Sequence, residues 1–128
     1  MDDQLALRIQ LFREGGQVTP EVVDFVAAEL TALEAEGHLV TEATASMLTS
    51  HLMMAIGRLL NGEPIEQFLT DDQVAAELAD HPQAVARAHA VAARAERELG
   101  AVLPASEVNF LGMHLAVLAR QSPPAPAS

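Results

Sequence analysis

An all-α fold follows from three properties of the sequence. Half of the residues are apolar but four are aromatic, all Phe, so the core must be built from Leu, Val, Ala, Ile and Met, which apart from the β-branched members are good helix formers. Apolar residues recur at spacings of three and four along most of the chain. The one alternating run, Leu5, Leu7, Ile9 and Leu11, is broken by Phe12, has no second strand to pair with, and leads into "GGQVT" and not directly into an Asn-Gly or Asp-Gly hairpin turn. At 128 residues the chain is sized for one domain with one core.

Residues 3–14 form the first helix, with Leu5, Ile9 and Phe12 on one face and Leu7 and Leu11 beside them, ended by "GGQVT". Thr19 followed by Pro20 resembles an N-cap with proline in the first turn, and Val22, Val23, Val26, Leu30 and Leu33 continue the second helix to Gly37. Thr41 starts a third that runs through "LTSHLMMAIGRLL" to about Gly62. The proline-bearing "EPIEQFL" reads as a turn or a single helical turn, and Asp71 or Asp72 caps a short "QVAAELA" helix that Asp80, His81 and Pro82 interrupt. The alanine-rich "QAVARAHAVAARAEREL" places Ala84, Ala88, Val91, Ala92, Ala95 and Leu99 on one face and ends at Gly100. The last helix starts between Pro104 and Glu107 and continues through "VNFLGMHLAVLAR". The pattern gives five or six helices over residues 1–120, and 121–128 reads as a disordered tail, since "QSPPAPAS" has no large apolar side chain to offset its ordering entropy.

Charge and motifs narrow the function. A net charge of −11 repels a phosphate backbone, so direct nucleic-acid binding is not expected. The acidic start "MDDQLALRIQ" lacks the basic region of a signal peptide, and no apolar run reaches the roughly 20 residues that span a bilayer, which leads to the expectation of a cytoplasmic protein without membrane contact. Without cysteine there is no disulfide framework and no thiol chemistry. No nucleophile elbow, phosphate-cradling glycine loop or dinucleotide fingerprint occurs, and "EGGQ" is a helix stop, so neither an enzyme nor a cofactor is expected.

The histidines carry more information. Projection at about 100° per residue puts His51 on the line of Arg58, with Met47, Met54 and Ala55 beside it and Leu48, Leu52, Ile56 and Leu59 as the neighbouring apolar ridge. The same projection centres His114 in a stripe of Phe110, Leu111, Val117 and Leu118, with Glu107 on its line. Each histidine thus lies seven residues from a charge on its own helix face, and the two charges are opposite. Read singly, either is a core imidazole bonded to a carbonyl or water; two in one small domain are harder to dismiss, because each buried ring must satisfy a donor and an acceptor. His38 at a helix end, His81 before proline and His89 on a helix flank read as structural or exposed. No His-Glu-x-x-His or comparable ligand spacing is present, so no metal is expected.

The blocks "SHLMMAIGRLLNGEPI", "VAAELADHPQAVARAHAVAARAERELG" and "ASEVNFLGMHLAVLAR" resemble, in that order, the first histidine block, the middle block and the second histidine block of the phosphotransferase-system regulation domain, the PRD. The resemblance covers roughly residues 5 to 120 and holds the two histidines 63 positions apart, 114 − 51. It implies a five- or six-helix bundle of the PRD type in which His51 and His114 are phosphorylated, and transcription regulation as the setting. By analogy with phosphoserine, Arg58 is then the counter-charge to the phosphoryl group and Glu107 its repellent, the two forming a switch. The expected function is that of a non-catalytic regulatory module receiving phosphate from a phosphocarrier protein or a sugar-specific transferase subunit. The alternative is an unphosphorylated helical dimerisation or adaptor protein. A homodimer is expected in either case, because the third helix is apolar nearly all round and carries the small residues Ser46, Ser50 and Gly57 on one side.

Overall fold

The structure is a computed structural model that describes residues 2–16, 18–63, 76 and 78–121. It contains five helices among these residues and no strand: α1 (Asp3–Gly15), α2 (Pro20–Ala35), α3 (Glu42–Leu60), α4 (Pro82–Leu99) and α5 (Ala105–Gln121). The "EPIEQFL" turn, the capping of "QVAAELA" by Asp71 or Asp72, and the tail beyond Gln121 lie outside the described residues. No helix of the described residues is long and apolar enough to cross a membrane.

Most helix ends obey local rules. Gly16 and Gly100 close α1 and α4 at φ 68° and 71°, a left-handed conformation that costs glycine nothing. Thr41 caps α3 in a reciprocal box with Thr44. Thr19 does stand at the start of α2, but its hydroxyl makes no capping bond; its carbonyl accepts from Val22 and Val23, and Pro20 needs no partner for its nitrogen.

α3 is the central helix, packed against α1, α2 and α5, while α4 closes the bundle against α2 and α5. This explains the apolar character of α3 without a second chain, since Ala45, Leu48, Leu52, Met53, Ala55 and Ile56 are all buried. Its small residues are also engaged within the chain. A Cβ on Gly57 would meet Val18 Cγ1 at 2.9 Å, and Ser50 accepts a hydrogen bond of 3.1 Å from Arg8. The small-residue side read from the sequence as a partner-facing surface is therefore, at Gly57 and Ser50, where α1 and the segment after it sit.

Polar ties fix the register of α3. One carboxylate oxygen of Asp2 accepts from the backbone N–H of Leu5 at 3.1 Å and of Glu42 at 3.1 Å, joining the N-termini of α1 and α3. Arg8 of α1 forms an ion pair with Glu42 of α3. On the opposite side, α4 presents Ala88, Val91 and Ala95 to the core, and Ala88 approaches Gly112 of α5, where a Cβ would lie 3.8 Å away. Arg94 of α4 grips the buried Glu29 of α2 with two bonds of 2.5 and 2.7 Å.

The Arg94–Glu29 pair gives a direct test of the α2–α4 contact. Arg94→Ala leaves a carboxylate that is 7% exposed without its partner and is expected to cost about 1–3 kcal/mol in urea unfolding. Arg97→Ala, whose exposed side chain is 4.0 Å from Glu98, should stay within about 0.5 kcal/mol of the parent. Equal losses for the two variants would show that the buried pair does not fasten α4 to α2.

Candidate functional site

One strip of α3 escapes burial. Met47, His51, Met54 and Arg58 follow at intervals of four, three and four residues, which lines them up along a helix; Met47 is 70% exposed and the His51 side chain 25%. α5 meets α3 beside this strip. The core-facing ridge of α5 is Val108, Leu111, Leu115 and Leu118, which leaves Phe110 and His114 half-buried on its flank and turns Val117 outward. His114 is thus not at the centre of a buried stripe, as the projection suggested, but at its edge.

The packing of α5 against α3 assembles three rings and a carboxylate. His51 stacks on Phe110 with centroids 4.0 Å apart and planes 27° from parallel. Phe110 lies 4.5 Å from His114 in a tilted arrangement, and the two imidazoles are 6.4 Å apart. Glu107, in the first turn of α5 and only 4% exposed, places Oε2 at 2.5 Å from His51 Nε2. An ionised carboxylate can only accept, so the geometry assigns Nε2–H as the donor. Residues 63 positions apart in sequence, His51 and His114, therefore share one surface, and the acid on the second helix serves the histidine on the first.

The two rings differ electrostatically. Burial, and secondly the charge on His51, hold the His114 imidazole below its ordinary value, which favours its neutral form. Nothing among the described residues hydrogen-bonds either ring nitrogen of His114. A neutral imidazole keeps a nitrogen lone pair and can act as nucleophile or proton acceptor.

Arg58 stands apart from this cluster. It is exposed, no ion pair among the described residues engages it, and Glu107 is paired with His51 and not with Arg58. The sequence singled out Glu107 for its place on the line of His114; its contact with His51 depends on the relative register of two helices, which no single-helix projection contains. Phe110 was read as one member of an apolar stripe, and its position between the imidazoles carried no signal in the sequence. His89 is exposed on α4, and His81, at the start of α4, borders a small cleft with Leu78, Met113 and Arg120. No three His, Asp or Glu among the described residues are grouped as metal ligands would be.

The depressed His114 value has a definite sign in stability. A histidine that is harder to protonate when folded contributes fully above its unfolded value of 6.5 and loses that contribution as pH falls through 6.5 toward the lower folded value, because the unfolded chain then takes up the proton more readily. A histidine NMR titration should place the His114 midpoint below 6.5, and His51→Asn should move it upward by removing the neighbouring charge. A midpoint above 6.5 in the parent protein contradicts the burial argument.

Comparison of the chain with protein-family models, with curated proteins and with solved structures gave no match.

Proposed function

We propose that this protein is a non-catalytic regulatory module that accepts phosphoryl groups on histidine, as the resemblance to the PRD implies, and changes its packing or choice of partner in response. The observation that carries this reading is the convergence of His51 and His114 on one half-exposed surface, 6.4 Å apart, with one ring held by a carboxylate. A neutral imidazole near pH 7 is a competent phosphoryl acceptor, and a transferred group adds charge beside a buried acid, which is the kind of local change that biases packing. Arg58, exposed on the same strip as His51, is the cation available to a phosphoryl group there.

On this reading the donor is a phosphocarrier protein or a sugar-specific transferase subunit, and the module works in the cytoplasm within a transcription-regulating system. The net charge of −11 argues that its output passes through another protein and not through direct contact with nucleic acid. Leu7 and Leu11, each 59% exposed on α1, and Met47 and Met54 on α3 are exposed apolar side chains that a second copy of the chain could cover in a two-fold dimer. The same side chains favour the second reading, an adaptor or dimerisation protein that is never phosphorylated.

The two readings part on one experiment. Incubation with phosphoenolpyruvate, the general phosphotransfer enzyme and the phosphocarrier protein should give an acid-labile, base-stable mass addition. The addition should fall in His51→Ala with little loss of melting temperature, and fall in His114→Ala together with about 1–3 kcal/mol of stability. No addition with any sugar-specific donor leaves the adaptor reading, and a monomeric mass in sedimentation at micromolar concentration removes the dimer from both.

A further inference from the structure

The ring nitrogens of His51 are not equivalent. Nε2 faces Glu107 Oε2 at 2.5 Å, and the Phe110 stack at 4.0 Å restrains rotation of the ring. Nδ1 has no hydrogen-bond partner among the described residues. The His51 side chain is 25% exposed, so the ring is reachable from solvent. We propose that Glu107 is the positioning residue of the site, holding His51 as the Nε2–H tautomer so that Nδ1 is the atom that accepts a phosphoryl group. This rests on the phosphoryl-acceptor reading above and adds to it the acceptor atom and the residue that selects it.

The chemistry balances. The Nδ1 lone pair attacks phosphorus, the bond between phosphorus and the donor nitrogen breaks, and its electron pair returns to the donor, a phosphohistidine ring or a phosphoramidate. His51 then carries phosphate on Nδ1 and hydrogen on Nε2, so the ring is cationic, and its positive charge faces the Glu107 carboxylate. Reversal needs only an acceptor for phosphorus. The carboxylate thus acts as the acid in a carboxylate–imidazole pair does, orienting the ring and strengthening the far nitrogen as a nucleophile. His114 has no such carboxylate among the described residues, so neither of its nitrogens is selected.

Two measurements on the full chain test this. Long-range ¹H–¹⁵N spectra of the histidines, with His51 identified by its loss in His51→Asn, should show the Nε2–H tautomer in the unmodified protein; an Nδ1–H tautomer overturns the proposal whether or not phosphate is ever accepted. Reaction with phosphoramidate as the probe, followed by ³¹P–¹⁵N correlation, should give the Nδ1 isomer at His51, and the Nε2 isomer there overturns it. In Glu107→Gln, uptake at His51 should slow by about 10- to 100-fold and the tautomer preference should weaken. An unchanged rate and unchanged tautomer refute the positioning role. Because Glu107 is buried, a variant that fails to fold leaves the decision with the tautomer of the parent protein, and a parent that keeps the Nε2–H ring but takes up no phosphate supports Glu107 as selector while rejecting the phosphoryl-acceptor reading.

Discussion

A carboxylate that is 4% exposed has to be answered by a donor, and in this protein the donor comes from another helix. Leaving Glu107 unpaired would cost about 1–3 kcal/mol or more, so its bond to His51 constrains how α5 can lie on α3. That constraint places Phe110 against His51 and His114 beyond it. The histidine is in turn mounted on a helix packed against three others. α3 is tied to α1 through Asp2 and Arg8, buried against α2, and closed over by α5. A side chain on such an element inherits its rigidity, and its orientation is decided by packing elsewhere in the bundle.

The distribution of arginines supports the same picture. Arg8 is committed to Glu42, Arg13 to Asp24, Arg87 to Glu36 and Arg94 to Glu29, so most of the scarce positive charge of an acidic chain is spent on holding helices together. Arg58 has no such commitment among the described residues and stands two helical turns from His51 on the same exposed strip. No ion pair among the described residues would have to break for its side chain to move.

How much of this was legible in the sequence differs by level. The helices were, because Leu, Val, Ala and Met at three- and four-residue spacing admit few other structures, and because glycine marks the ends of α1 and α4. The face of α5 was legible only in part. Two overlapping stripes compete there, Phe110–His114–Val117 and Val108–Leu111–Leu115–Leu118, and the second won because it is continuous with the core that α4 closes. The pairing of Glu107 with His51 was not legible. Helical projection orders residues about one axis, whereas this contact depends on the axial offset between two helices whose connection runs through another helix. The same limitation led Ser50 and Gly57 to be read as partner-facing, when Arg8 and Val18 of the same chain occupy that side.

The spacing of the rings sets what a charge on His51 does to His114. Burial disfavours a positive charge on His114, and a proton on His51, 6.4 Å away, would act in the same direction. On the phosphoryl-acceptor reading, a group adding about −1.5 to −2 charges to His51 exceeds the single positive charge left on its ring, so the potential at His114 reverses sign. The neighbour then changes from disfavouring to favouring protonation of the second imidazole, and a protonated ring donates from both nitrogens and attacks through neither. On that reading a first modification works against a second, because the two rings share one surface.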